Sequence, residues 1–478
     1  MVDVARRSPD APALVLDART VTFAELVNMI DGMAASMLDH GVTPSTPVGL
    51  LLADTPRHLV ALLALFRLGV PVLPLGRDDP AERIRGLCRR VGARRCLAHS
   101  ADRPDVDEIA HVAIDGLGGG GERRRLPSMP TSETVAYYAR SSGTTGGIAK
   151  LVAITFATMA ARDARVVRRL PYGPGERYLR LTSLSRSHGR YHARIALVYG
   201  AAVVFPSDVR TPAAMHRAVV AHGATISALT PPTVRDLLRA DAPTPLFPGM
   251  RLLVGTAALS VEERCAAMER LTPLLHIGYA TSEIGGISMA TPEDLAADIE
   301  TVGRPFHDIE AQAVDDDHRP LPSGTIGVLR FRGPETATRY FDDITGATSR
   351  FRQGWFYPGD AGMVDAAGRI TLKGRADDLI NVGGLKVHPG DIEQLLSAHP
   401  AVAEAAALAI AAPREGEIPV AAVVPRTPID EASLLAHCAG ALSPRIRPRR
   451  ILLLDALPRN PDGKIDRPVL IRLFTGAG

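Results

Sequence analysis

Lysine is nearly missing from this chain. Of its 55 basic side chains only Lys150, Lys373, Lys386 and Lys464 are lysine, and arginine supplies the rest. Aromatic residues make up 4%, and the net charge is only +3, with the arginines scattered along the chain. So little stacking surface and no basic stripe argue against a nucleic-acid partner. The four cysteines, Cys88, Cys96, Cys265 and Cys438, have neither metal-binding spacing nor the density of a disulfide scaffold, so a reducing cytoplasm is expected. No run of about 18 apolar residues occurs. The opening MVDVARRSPDAPAL carries no apolar signal core, so neither membrane insertion nor export is expected. The fourteen histidines form no His-Glu-x-x-His helix. Gly286-Ile287-Ser288-Met289-Ala290 lacks the closing glycine of a nucleophile elbow, which leaves a serine hydrolase without support.

What is present describes an ordinary globular chain. Its 478 residues suggest two or three domains, and 46% hydrophobic with 22% charged content is typical of soluble proteins. Thr22 and Glu25 form a capping-box pattern ahead of Phe23, Leu26, Ile30, Met33, Met37 and Leu38 at helical spacing. Short apolar strands at 48–52 and 70–73 flank a helix at 56–68. That alternation favours a largely parallel sheet covered by helices, and it returns at 196–229 as a second α/β unit. Between the two, Gly116, Gly118 and Gly121 match a dinucleotide fingerprint literally but run into Pro127 and Pro130 instead of a helix. The stretch therefore reads as a linker. From 302 to 373 the pattern changes to short strands with turns. After Asp377 it becomes α+β, with helices near 390–398 and 430–441 and strands near 404–410, 418–424 and 451–454. The expected fold is α/β. A large N-terminal domain (1–376) has two α/β subdomains and a small β-rich one, and a small mobile α+β C-terminal domain (377–478) follows.

The chemistry concentrates around the lysines. Ser141-Ser142-Gly143-Thr144-Thr145-Gly146-Gly147-Ile148-Ala149-Lys150 is a glycine-rich turn whose backbone N–H groups, hydroxyls and terminal lysine suit an anion. It is not the common Gly-Lys-Ser/Thr phosphate loop. Further along come Gly278-Tyr279-Ala280-Thr281-Ser282-Glu283, Gly354-Trp355-Phe356-Tyr357-Pro358-Gly359-Asp360, Gly374-Arg375-Ala376-Asp377 and Gly463-Lys464-Ile465. These motifs, in this order and across essentially the whole chain, resemble those of the acyl-adenylate-forming superfamily of acyl-CoA synthetases, adenylation domains and firefly luciferase.

The resemblance implies roles. Ser141, Ser142, Gly143, Thr144, Thr145, Gly146 and Lys150 would cradle the phosphates of ATP. Tyr279 would stack on adenine, with Gly255, Thr256 and Ala257 lining the same pocket. Glu283, beside Ser282, would hold Mg²⁺, and Asp360 with Arg375 would take the ribose. Lys464 would stabilise charge on the α-phosphate in the adenylating transition state. Asp377 would be the hinge that swings Lys464 away before a thiol attacks. The loop ahead of Lys150 is one residue longer than usual, and Pro358 and Ala280 replace a customary threonine and glycine.

For the acyl pocket, Gly278 and Ala280 are expected on one side and the segment SLSRSHGRYHAR on the other. Arg186, His188 and Arg190 could receive a second carboxylate, a phenol or another anionic group. Arg190 and Arg194 are instead expected to face solvent on a helix starting near Gly189. The resemblance thus implies an ATP-dependent ligase for a small-molecule carboxylic acid, with coenzyme A as acceptor. An acyl-carrier protein, an amine acceptor, or a relative that only uses preformed acyl-adenylate remains open, as do monomer and homodimer.

Overall fold

The computed structural model describes residues 1–118, 126–141, 150–342, 350–378, 380–382, 385–412, 416–459 and 465–476. Their contacts define two compact units. One comprises Met1–Ile299, Gly303–Ile309 and Gly333–Phe351, and the other Glu300–Val302, Glu310–Arg332 and Arg352–Gly478.

The first unit is α/β, built on two sheets. The capping box at Thr22 forms as expected and starts the helix Phe23–Asp39, whose buried face includes Phe23, Leu26, Ile30, Met33 and Met37. Thr55 caps the helix Pro56–Leu68, proline sits in its first turn, and Gly69 ends it at φ 67°. That helix is buried nearly all round, which an apolar sequence such as LVALLALF requires. A six-stranded sheet contains the parallel strands Val48–Leu52, Val72–Gly76, Arg95–Ala98 and Ala110–Ala113. It closes with the antiparallel pair Val135–Ser141 and Lys150–Thr155, in which Ser141 and Lys150 are cross-strand partners. A nine-stranded sheet holds the parallel strands Arg177–Leu179, Ala202–Phe205, Ile226–Leu229, Arg251–Val254 and Leu275–Thr281. Val70 and Pro71 precede the strand that the apolar run predicts at 70–73, which begins at Val72. The linker at 116–121 falls partly outside the described residues, and Gly116 ends a short 3-10 turn.

The second unit is β-rich up to Arg375, with the strands Glu310–Val314, Gly327–Arg332, Asp360–Val364 and Ile370–Arg375 paired antiparallel. Beyond it, the long antiparallel pair Val402–Ala412 and Gly416–Pro425 carries the helices Pro389–Ser397 and Glu431–Ala441 and the strand Ile451–Leu453. A last helix, Arg467–Thr475, buries Leu470 and Phe474, and the sequence pattern did not single it out.

The helix Ser187–Tyr199 corrects the expectation for two arginines. Arg194 is 3% exposed and forks onto the Asp163 carboxylate at 2.5 and 2.7 Å. Burial pulls its pKa down, yet the Asp163 charge and hydrogen bonds raise it on balance. Arg190 donates to the carbonyls of Leu184 (2.9 Å) and Ser185 (3.1 Å), and desolvation lowers its pKa to about 10. The solvated-face argument failed because Arg194 meets a carboxylate 31 residues away on another helix, and Arg190 folds back onto carbonyls of the segment just ahead of its own helix. Arg194→Met should leave Asp163 buried and uncompensated, at a cost of roughly 3–5 kcal/mol. Urea unfolding would register this as a lower midpoint. Adding Asp163→Leu should recover most of the loss, and a single variant as stable as the parent would refute the pairing argument.

Candidate active site

The parallel strands of the nine-stranded sheet point their carboxyl ends at one region, the place where α/β sheets bind ligands. The strand Arg251–Val254 leads into Gly255, where an added Cβ would lie 3.3 Å from the Gly278 carbonyl oxygen and 3.5 Å from His188 Cε1. Three residues singled out in the sequence thus meet, and the missing side chain at Gly255 makes room for the other two. Thr256 follows at φ 79°, left-handed backbone that a β-branched residue adopts only under constraint, and Thr256 and Ala257 are exposed.

The strand Leu275–Thr281 runs antiparallel to Gly285–Ala290, with Thr281 opposite Gly285. Ser282, Glu283 and Ile284 form the turn between them, and Gly285 takes φ 83°. The turn rests on two buried arginines from the helix Phe156–Val167. Arg162 donates to the carbonyls of Ser282 (3.2 Å) and Glu283 (2.8 Å), and Arg165 to those of Ile284 and Gly286 (3.3 Å each). Arg165 also grips Asp308 at 2.7 and 2.8 Å. The Ser282 hydroxyl donates to the Arg140 carbonyl at 3.2 Å, which ties the turn to the strand that leads into 142–149.

Glu283 is 6% exposed, and its Oε1 accepts a 2.8 Å bond from the Tyr340 hydroxyl. The Lys150 ammonium lies 5.2 Å from the centre of the same ring. The structure therefore brings together Lys150 and Glu283, with Ser282 next to it in the turn, through a tyrosine that sequence reasoning missed. Tyr340 stands 57 residues from Glu283, and no spacing rule links the two.

Among the described residues no group of three or more His, Cys, Asp or Glu could hold a metal. A single buried carboxylate beside a lysine fits Mg²⁺ instead, because that ion takes one or two carboxylates and completes its shell with phosphate oxygens and water.

Tyr279 is half-buried on its strand and Ala280 exposed, with Ser288 opposite Tyr279. In the second unit Arg375 donates to Asp360 Oδ1 at 2.9 Å from the neighbouring strand. Lys373 pairs with Glu300 at 2.8 Å. Asp377 falls in the 3-10 turn Ala376–Asp378. Its side chain lies outside the described residues, as do Ser142, Gly143, Thr144, Thr145, Gly146 and Lys464 and the side chains of Ser141 and Lys386.

Arg186 is exposed at the start of the helix Ser187–Tyr199. His188 is two residues along, and its Nε2 is sealed from solvent without a hydrogen-bond partner. Desolvation pushes its pKa down to about 4, so the ring is neutral at physiological pH. The folded state then binds fewer protons than the unfolded chain between pH 6.5 and about 4. His188 should therefore contribute stability above its unfolded pKa and lose it as pH falls through that window. The melting temperature should drop less between pH 7 and pH 5 in His188→Gln than in the parent. An identical drop in both would remove His188 from the acid sensitivity.

The chain matches the AMP-binding enzyme family over residues 2–341 and the AMP-binding enzyme C-terminal domain over residues 391–464. It is 30% identical to the 4-chlorobenzoate–CoA ligase of an Arthrobacter species, over 99% of this chain and 94% of that protein. It is 28% identical to a 3-[(3aS,4S,7aS)-7a-methyl-1,5-dioxo-octahydro-1H-inden-4-yl]propanoyl:CoA ligase of Mycobacterium tuberculosis, over 98% and 97%. An amide bond synthetase from Marinactinospora thermotolerans is similar in structure, with a TM-score of 0.86 at 26% identity and 99% of both chains covered. The o-succinylbenzoate CoA synthetase of Bacillus subtilis shares the fold, with a TM-score of 0.88 at 24% identity over 98% of this chain and 97% of that one. By the extent of the family match, the chain belongs to the AMP-binding enzymes of the acyl-adenylate-forming superfamily.

Proposed function

We propose that this enzyme is an AMP-forming acid–thiol ligase that activates an aryl carboxylic acid with ATP and passes the acyl group to coenzyme A. The observation that carries the adenylating step is the meeting of Lys150 and Glu283 on Tyr340, a cation for phosphate oxygens beside a carboxylate for Mg²⁺. The full-length similarity to the Arthrobacter 4-chlorobenzoate–CoA ligase supports the acid and the acceptor.

In this reading a carboxylate oxygen of the acid attacks the α-phosphorus, and the bond to the pyrophosphate oxygen breaks. Lys150 and the loop from Ser141 to Gly146 hold the β- and γ-phosphates. Tyr279 stacks on the adenine, and Asp360, oriented by Arg375, accepts the ribose hydroxyls. Glu283 supplies the protein's oxygen to Mg²⁺, which when bound neutralises phosphate charge. Lys464 stabilises the oxygens around the α-phosphorus, where charge gathers. The thiol then attacks the acyl carbon, and AMP leaves with the carboxylate oxygen. Rotation of residues 377–478 about Asp377 exchanges Lys464 for the surface that serves the thiol.

On the acyl side, Arg190 and Arg194 are committed to protein acceptors and His188 is neutral. This leaves little charge for a second carboxylate and favours an aryl body with a hydrogen-bonding substituent for His188. The 26% identity to an amide bond synthetase over 99% of the chain keeps an amine acceptor as the second reading.

Acid-dependent ATP–pyrophosphate exchange with pooled aryl, fatty and dicarboxylic acids tests the first step. Exchange is expected with the aryl pool, and silence in every pool with Mg²⁺ present would reject adenylation. Lys464→Ala should lower exchange roughly a hundredfold or more while leaving thioester formation from supplied acyl-AMP largely intact. Equal losses in both half-reactions would refute the two-conformation scheme.

A further inference from the structure

Glu283 is a costly residue to bury. A carboxylate at 6% exposure needs compensation, and the Arg162 guanidinium donates to the backbone carbonyl of Glu283 and not to its carboxylate. Among the described residues the carboxylate has one side-chain donor, the Tyr340 hydroxyl on Oε1, and no ion pair. A phenol fixes the group's rotation while leaving its full negative charge available, whereas a paired guanidinium would neutralise it.

Tyr340 is itself held firmly. It is 3% exposed and packs with Val152 and Ile154, and the Phe351 ring meets it edge-on at 5.2 Å. The chain on either side is laced down. The Ala337 N–H donates to the Glu283 carbonyl (2.9 Å), the Phe341 N–H donates to the Leu151 carbonyl (2.7 Å), and Asp342 pairs with Arg90 (2.5 and 2.7 Å). One rigid side chain therefore presents a hydroxyl to the acid and a ring face to the lysine. A cation over an aromatic face at this distance is attracted by the ring quadrupole.

We infer that Tyr340 is a positioning residue for the metal–nucleotide site: its hydroxyl holds Glu283 Oε1, fixing the carboxylate that would hold a divalent cation, and its ring seats the Lys150 ammonium for the phosphates. The inference rests on the adenylating reading above. It assigns one residue outside the recognised motifs to two charged groups inside them.

The test uses Mn²⁺ as the probe, titrated into full-length protein with ATP and no acid, with free Mn²⁺ read by electron paramagnetic resonance. Tyr340→Phe keeps the ring and loses the hydroxyl, and should weaken Mn²⁺ uptake about tenfold with a melting temperature near the parent's. Glu283→Gln should weaken it at least as much, and the double variant should be no worse than Glu283→Gln alone, since the hydroxyl acts through the acid. Tyr340→Leu should also raise the ATP concentration needed for half-saturation, which Tyr340→Phe should not. Parent-like Mn²⁺ uptake in Tyr340→Phe, or an additive loss in the double variant, would overturn the assignment while leaving Glu283 as the metal carboxylate. Parent-like uptake in Glu283→Gln would instead remove the metal role from Glu283, and the reading of the site with it.

Discussion

Two guanidinia buried under one turn set the geometry of the site. Arg162 and Arg165 are 5% and 1% exposed, and desolvation lowers the pKa of Arg162. Their burial is tolerable because the turn from Ser282 to Gly286 offers four carbonyls, while Asp308 supplies the balancing charge to Arg165. A guanidinium can serve this purpose because its donors are fixed in a plane and can reach two acceptors at once. Lysine has no such fork. The turn therefore comes ready-shaped, and Gly285 completes it: a Cβ there would approach Arg162 Cδ at 2.7 Å, in backbone at φ 83°.

This division of labour between the two basic residues recurs at other positions of the fold. Arginine serves where carbonyls and carboxylates must be bridged inside the fold, as at Arg162, Arg165, Arg190 and Arg194. Lys150 meets a ring face, and Lys373 meets the single carboxylate of Glu300, contacts that a compact point charge makes well.

What could be read from the sequence follows the range of the interactions. The helices Phe23–Asp39 and Pro56–Leu68 were legible because their caps and apolar spacing are local. The helix Arg467–Thr475 was not, because two buried residues, Leu470 and Phe474, make too short a periodic signal. Arg194 was misread because its partner Asp163 lies 31 residues away on another helix. Tyr340 escaped for the same reason, since its link to Glu283 exists only after folding. The roles of Ser142 to Gly146 and of Lys464 rest on the motifs alone, because those residues lie outside the described ones.

In the proposed reading the acyl end turns on the same balance of charge. A second carboxylate entering there would need a fixed cation, and of the three candidates Arg190 is already committed to protein oxygens, as is its neighbour Arg194. His188 cannot serve while neutral, and protonating it would mean charging a ring whose Nε2 is sealed from water. Arg186 is exposed, so its attraction for an anion is screened by solvent. A neutral ring nitrogen without a partner has a different preference. It gains most from a substrate hydroxyl or similar group that supplies the missing hydrogen bond, and it penalises an analogue that lacks one. Selection among acids would then come from one hydrogen bond to a desolvated ring nitrogen and not from long-range attraction.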